Sequence, residues 1–243
     1  FPEELLELPP RLLVEAMKLH QRVFPLYDKD GELLSTFLTV TNHPFAIDPE
    51  VARIIAEGNK RVLTARFYDA KFFYAEDRKK PLLEHGQKLQ TMRWVRKGGT
   101  VADKVQRLVG LAETWAPKFG ANAQQTTRAA LLSKCDLATQ MVYEFPKLQG
   151  HVGNLMAQYE GEDKKVSQAI EEHYLPRYAG DSVPETKEGL TLAFIDRLDT
   201  LQETFRLGLQ PKGSGDPLGL RRASNGIISL LLKAEWNVSL NDV

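Results

Sequence analysis

"LLSKCDLAT", Leu131 to Thr139, decides the fold. The surrounding sequence has helical apolar spacing, but Cys135 and Asp136 break the stripe in its middle. They are either the remains of a metal-binding His-Asp pair or a buried thiol beside a solvated carboxylate. The choice separates a hydrolase from a chain that has kept only a hydrolase's shape.

Two further stretches bear on it. "TVADKVQRLVGLA" (100–112) precedes it and "LAFIDRLDTL" (192–201) follows it, both with helical periodicity. Three helices in this order resemble the HD phosphohydrolase fold, an all-helical bundle. There a His on one helix, a His-Asp pair on a second and an Asp on a later one hold a metal that activates water. In this sequence Lys104 falls in the first His slot and Cys135 in the second, leaving Asp136 and Asp196 as the matched carboxylates. A cation at Lys104 repels a divalent ion where a neutral imidazole should bind it, so no metal is expected. His151 and His173 lie between the second and third helices and could supply ligands, although a lone His is more often a surface or satisfied core residue. Asp196, Asp199 and Glu203 share one helix face opposite Leu190, Phe194, Leu198, Leu201 and Phe205. That acidic face is expected to meet either water or Arg221 and Arg222.

The N-terminal third reads differently. "FPLYDKDGELLSTFLTVTN" (24–42) places two β-prone runs around the turn DKDG, a hairpin that is marginal alone and needs further partners. "DPEVARIIAEGNKRVLTARFYDAKFFYAEDRKK" (48–80) reads as one long helix. At about 100° per residue, Val51, Ile54, Ile55, Val62, Phe72 and Phe73 fall on one side and Arg53, Lys60, Lys71 and Arg78 on the other. Such a basic stripe is either a solvated face or a ridge that follows nucleic-acid phosphates without reading sequence. Arg66 and Asp69 are placed for a structural ion pair. Near the C-terminus, "PKGSGDPLGLRR" (211–222) puts Lys212 before a glycine-rich loop, with Asp216 and Pro217 as expected N-cap and first residue of a helix. The loop lacks P-loop spacing, so it is a weak phosphate signal beside Arg221 and Arg222.

The 243 residues carry 32 Lys and Arg against 32 Asp and Glu. A net charge of zero excludes a generally basic nucleic-acid binder and confines RNA contact to local patches. One cysteine excludes internal disulfides and fits a reducing compartment. The longest apolar run, Ile227 to Leu232, is too short for a bilayer span. The fold class expected is mainly α: a short α+β part with a β-hairpin over residues 1–90, then an all-helical HD-like domain over 91–243. A chain that opens on Phe1 and closes on a polar tail reads as a segment of something longer.

Several strings, in order, carry a closer resemblance: "HQRVFPLYDKDGELLSTFLTVTN", "GNKRVLTARFYDAKFFYAEDRKKPL", "LLSKCDLATQMVYEFPKLQG", "AIEEHYLPRYAGD", "IDRLDT" and "GLQPKGSGDPLGLRRAS". Together they are similar to the beta-subunit family of the bacterial two-subunit glycyl-tRNA synthetase, over essentially the whole chain. The resemblance implies the end of a domain related to the B3/B4 region of phenylalanyl-tRNA synthetase, followed by a degenerate HD domain. It implies a cytoplasmic assembly that uses ATP to join glycine to its tRNA, with ATP and Mg used by the alpha subunit and no cofactor in this segment. The partners implied are the alpha subunit and tRNA-Gly, with no membrane and no DNA. Arg53, Lys60, Lys71, Arg78, Lys212, Arg221 and Arg222 become candidate phosphate contacts, and no residue is expected to be catalytic. "RKGGTVADK" departs from the family's usual pattern at the junction. Two other functions compete: a metal-dependent HD-type phosphohydrolase and a pure protein-interaction scaffold.

Overall fold

The computed structural model describes residues 1–45, 48–211, 213 and 215–236, excepting the side chain of His20. The chain is mainly helical with a short α+β start. It divides into two compact units: Phe1–Lys79 with Tyr143–Leu148, and Lys80–Val142 with Gln149–Val243.

In the first unit a short helix α1 (Pro10–Ala16) leads into strands β1 (Phe24–Tyr27) and β2 (Leu33–Leu38). They pair antiparallel with Phe24 opposite Leu38 and Tyr27 opposite Leu33. The turn is the one read from DKDG: Asp28 Oδ1 accepts from the amides of Asp30 and Glu32, and Gly31 takes a positive φ of 86°. Helix α2 (Pro49–Asp77) follows, its first turn closed by Asp48, whose side chain accepts from the amides of Glu50 and Val51. Its buried side is Leu63, Phe67 and Ala70, packed with Leu5, Leu12, Leu13 and Met17 as the core of this unit. Ile54, Val62 and Phe72 are exposed, so the apolar side named from periodicity is not the one that packs. The sequence offers two apolar stripes on one helix, and the one nearer the basic residues is covered.

The second unit holds α3 (Leu82–His85), α4 (Val101–Lys118), α5 (Ala123–Leu132), most of α6 (Gln140–Glu144), α7 (His151–Tyr159), α8 (Lys164–Glu172), α9 (Lys187–Arg206) and α10 (Leu220–Ala234). Thr100 and Asp103 form a reciprocal capping box that fixes the start of α4 after the glycine turn at 98–99. Leu108, Ala112, Ala129, Ala130, Ile170, Leu192, Phe194 and Ile195 are the buried centre, with Trp115 and Phe119 against Phe194. Helix α10 begins at Leu220 with Gly219 at its N-cap, not at Asp216 and Pro217. Asp216 still serves that end from upstream, accepting from the amides of Leu220 and Arg221. No described helix is long and apolar enough to cross a membrane.

Candidate functional site

The quoted stretch does not continue as a helix. Helix α5 stops at Leu132, and Cys135–Ala138 forms a turn of 3-10 helix. The change of direction sends three successive side chains to different places. Cys135 is buried, its Sγ 3.5 Å from the Leu131 carbonyl and close to where a side chain on Gly86 would lie. Burial pushes its thiol up to about 12, so it packs as a hydrophobe and offers no thiolate. Asp136, also buried, accepts through Oδ2 from the amides of Gly150 (2.6 Å) and Gly153 (3.1 Å). Burial raises its carboxyl to about 6 against those two donors and Lys134. Asp136 thus ties the turn to the start of α7, and Gly153 leaves room for it.

Lys134 is the third side chain, and it is this one, not Cys135, that reaches Asp196. Its Nζ lies 3.3 Å from Asp196 Oδ2 and 2.7 Å from His173 Nε2. Lys104 reaches the same carboxylate from α4: its Nζ is 3.1 Å from Asp196 Oδ1, 2.8 Å from Asp199 Oδ2 and 2.9 Å from Thr200 Oγ1. Arg107, one turn along α4, grips Asp199 with Nε at 2.5 Å. The side chains of Lys104, Lys134 and Asp199 are less than a tenth exposed. Rather than facing water or Arg221 and Arg222, the acidic side of α9 therefore closes on cations from α4 and from the turn after α5. Glu203 stays outside, paired with Arg206. Phe205, on the side expected to be buried, is exposed.

His173 is buried, and its Nδ1 sits 2.7 Å from the Ile170 carbonyl. That acceptor requires a proton on Nδ1, leaving the Nε2 lone pair for the Lys134 ammonium. Burial and Lys134 hold the imidazole well below its ordinary value, so it is neutral. Burial works to raise Asp196, but Lys104 and Lys134 outweigh it and keep the carboxylate ionised. His151 takes no part, being 3.1 Å from Glu171.

A metal does not fit this donor set. Asp196 is already engaged by two ammonium groups, and a divalent ion beside it would stand within a few ångström of both. Among the described residues no group of three or more His, Cys, Asp or Glu side chains is arranged to hold a metal. The sequence had singled out Lys104 and Asp196 but missed Lys134, Arg107 and His173 as partners. The available signal was Lys134 itself, a cation in an otherwise apolar segment next to the matched pair.

None of the described candidate phosphate contacts is part of this cluster. On α2, Arg53 is held by Glu50 at 2.7 Å and Lys60 lies 3.8 Å from Glu57. Lys71 is half-buried, and the Arg78 guanidinium lies over the Tyr74 ring at 5.0 Å. Helix α2 carries five basic residues (Arg53, Lys60, Arg61, Arg66, Lys71) and five acidic ones (Glu50, Glu57, Asp69, Glu76, Asp77), so the helix has no net charge. The Arg66–Asp69 pair is present at 3.8 Å, exposed on the surface. Arg221 and Arg222 line an open groove of about 640 Å³ with Tyr178, Asn225 and Ile228. Arg221 Nη2 donates to the Gly213 carbonyl at 2.5 Å, whereas Arg222 is exposed and has no ion-pair partner among the described residues. Lys212 lies outside the described residues.

A family model described as glycyl-tRNA synthetase beta subunit matches residues 1–243. The chain is 42 % identical over 243 residues to the glycine–tRNA ligase beta subunit of Chromohalobacter salexigens, 43 % over 247 to that of Bacillus subtilis and 44 % over 251 to that of Trichodesmium erythraeum. In each case all of this chain is covered, but only 35 %, 36 % and 34 % of the relative, so it spans about a third of their length. With the match running from first residue to last, the chain belongs to the glycyl-tRNA synthetase beta-subunit family.

Proposed function

We propose that this chain serves a glycine–tRNA ligase by holding tRNA-Gly and by assembly with the alpha subunit, without itself taking part in the chemistry of ATP-dependent charging. ATP and Mg belong, on this reading, to the alpha subunit, and the setting is the cytoplasm. Residues 1–90 are read as the end of a B3/B4-like domain and 91–243 as an HD-like domain that has lost its metal. The observation that carries the non-catalytic part is the closure of the Lys104–Lys134–Asp196–Asp199 cluster. Asp196 and Asp199 are each held by buried cations, leaving neither carboxylate free to activate water. The HD-type phosphohydrolase reading is set aside on that ground.

For the tRNA contact the groove beside α10 is the better supported surface. Arg222 is uncompensated there and Tyr178 offers an exposed ring, while Arg53 and Lys60 on α2 have acidic neighbours and Lys71 is half-buried. An assembly role draws support from the first unit, where Phe24, Leu38, Val40 and Phe72 expose apolar surface. The test is tRNA-Gly affinity of the assembled ligase at several salt concentrations. Arg222→Glu should weaken binding and flatten the dependence of log K on log salt by about one unit. A Lys60→Glu/Lys71→Glu pair should change both less. The reverse ranking would move the contact to α2, and no effect from either set would refute tRNA holding by these surfaces.

A further inference from the structure

The side chain of Lys134 is surrounded as a bound ion would be. Its Nζ faces the His173 Nε2 lone pair at 2.7 Å, the Asp196 carboxylate at 3.3 Å and the face of the Tyr174 ring at 4.4 Å from the centroid. Each of these attracts a cation by a different means: a lone pair, a charge and a ring quadrupole. His173 is committed to this role by the Ile170 carbonyl, which takes the other ring proton. Lys134 and its neighbours come from three places in the second unit: the turn after α5, the end of α8 with its following residues, and α9. Lys104 closes the far side of the same carboxylate, so a second charge added to the seat would meet an ammonium group on Asp196.

We propose that the three neighbours form a seat for a single monovalent ammonium ion, which Lys134 fills as a tethered cation, cross-linking these elements where a metal would otherwise have to stand. The seat is selective by charge as well as by shape. A primary ammonium supplies the donor protons that Nε2 and the carboxylate need, while a neutral group leaves Asp196 Oδ2 without its cation. A divalent ion is opposed by Lys104. The fold of the second unit therefore needs no free ion.

The experiment removes the tether and returns the cation. Lys134→Met keeps most of the side-chain volume without the charge, and should lower the thermal midpoint of the chain by about 10 °C, as expected for breaking a buried charge network in a domain of this size. Lys134→Ala opens a space matching propylammonium, three carbons and a nitrogen. Millimolar propylammonium should recover much of the lost midpoint, while 1-propanol, of similar size and uncharged, and Mn²⁺ should not. Lys134→Met as stable as the unsubstituted chain, or recovery no better with propylammonium than with propanol or Mn²⁺, would overturn the proposal. Should neither variant fold, nitrogen NMR of the unsubstituted chain at pH 7 decides. His173 protonated on Nδ1 and bare on Nε2 supports the seat, and a proton on Nε2 refutes it.

Discussion

At Asp136 two forces act on one carboxyl group, and their balance gives a measurable pH dependence. Burial favours the protonated form while the Gly150 and Gly153 amides and Lys134 favour the ionised one, leaving the group at about 6 in the folded chain, above the ordinary carboxylate range. A carboxyl raised on folding takes up a proton, so the folded state gains stability as pH falls from about 6 towards 4, by about 1.4 kcal/mol per pH unit. His173 acts in the opposite sense. Held neutral by burial and by Lys134, with Asp196 and Arg197 also facing it, it stays unprotonated while the unfolded chain binds a proton, and stability falls below about pH 6.5. Asp136→Asn keeps an oxygen for the two glycine amides and removes the compensating gain. Urea unfolding should show this variant losing about 2 kcal/mol more than the unsubstituted chain between pH 7 and pH 4.5. Equal losses would mean that Asp136 takes up no proton on folding. At this scale the sequence was partly legible. The buried thiol of Cys135 follows from the pattern of the three helices, whereas the closure of Lys104 on Asp196 does not, since the acidic face of α9 was expected to meet water or Arg221 and Arg222. The inward turn of Lys134 does not follow either, because it depends on α5 ending two residues earlier, and no capping residue there announces the end.

Helix α9 is tied to the residues after α8 by a single guanidinium. Arg197 donates through Nη1 to the carbonyls of His173 and Ala193, and through Nη2 to those of Tyr174 and Pro176. It thereby fixes the loop that forms one wall of the Tyr178–Arg222 groove. Gly226 on α10 lies against it so closely that a Cβ would come within 2.6 Å of Nε. Gly226→Ala should therefore cost about 1–3 kcal/mol of stability, as an overpacked contact. Arg197→Lys keeps the charge but loses the planar fork, so at least one carbonyl it now serves would go unpaired. Hydrogen exchange should accelerate at residues 173–180 in the lysine variant, with the interior of α4 little changed. Unaltered exchange in that loop would show that the guanidinium does not hold it. Element existence was legible: α2, α4 and the DKDG hairpin all stand where the spacing puts them. Which face packs was less so. Helix α2 carries apolar residues on two sides, and only the partner surface chooses Leu63, Phe67 and Ala70 over Ile54 and Phe72.

Over the whole molecule, a net charge of zero and a sealed internal cluster limit what this chain can offer a polyanion. On the proposed function, contact with tRNA is left to a few uncompensated cations and activation of glycine to the alpha subunit. Family and fold class were open to sequence reading because ordered strings of residues carry them. The division of the surface into neutralised and free cations was not, since it depends on which acidic neighbours reach each Lys or Arg. The two contributions separate cleanly in the assembled enzyme carrying Arg222→Glu, assayed for glycine-dependent pyrophosphate exchange without tRNA and for charging of tRNA-Gly. Exchange should be unchanged while charging falls several-fold through a higher KM for tRNA, with kcat little affected. Loss of exchange, or a fall in kcat at constant KM, would place this segment in the chemistry rather than in the holding of tRNA.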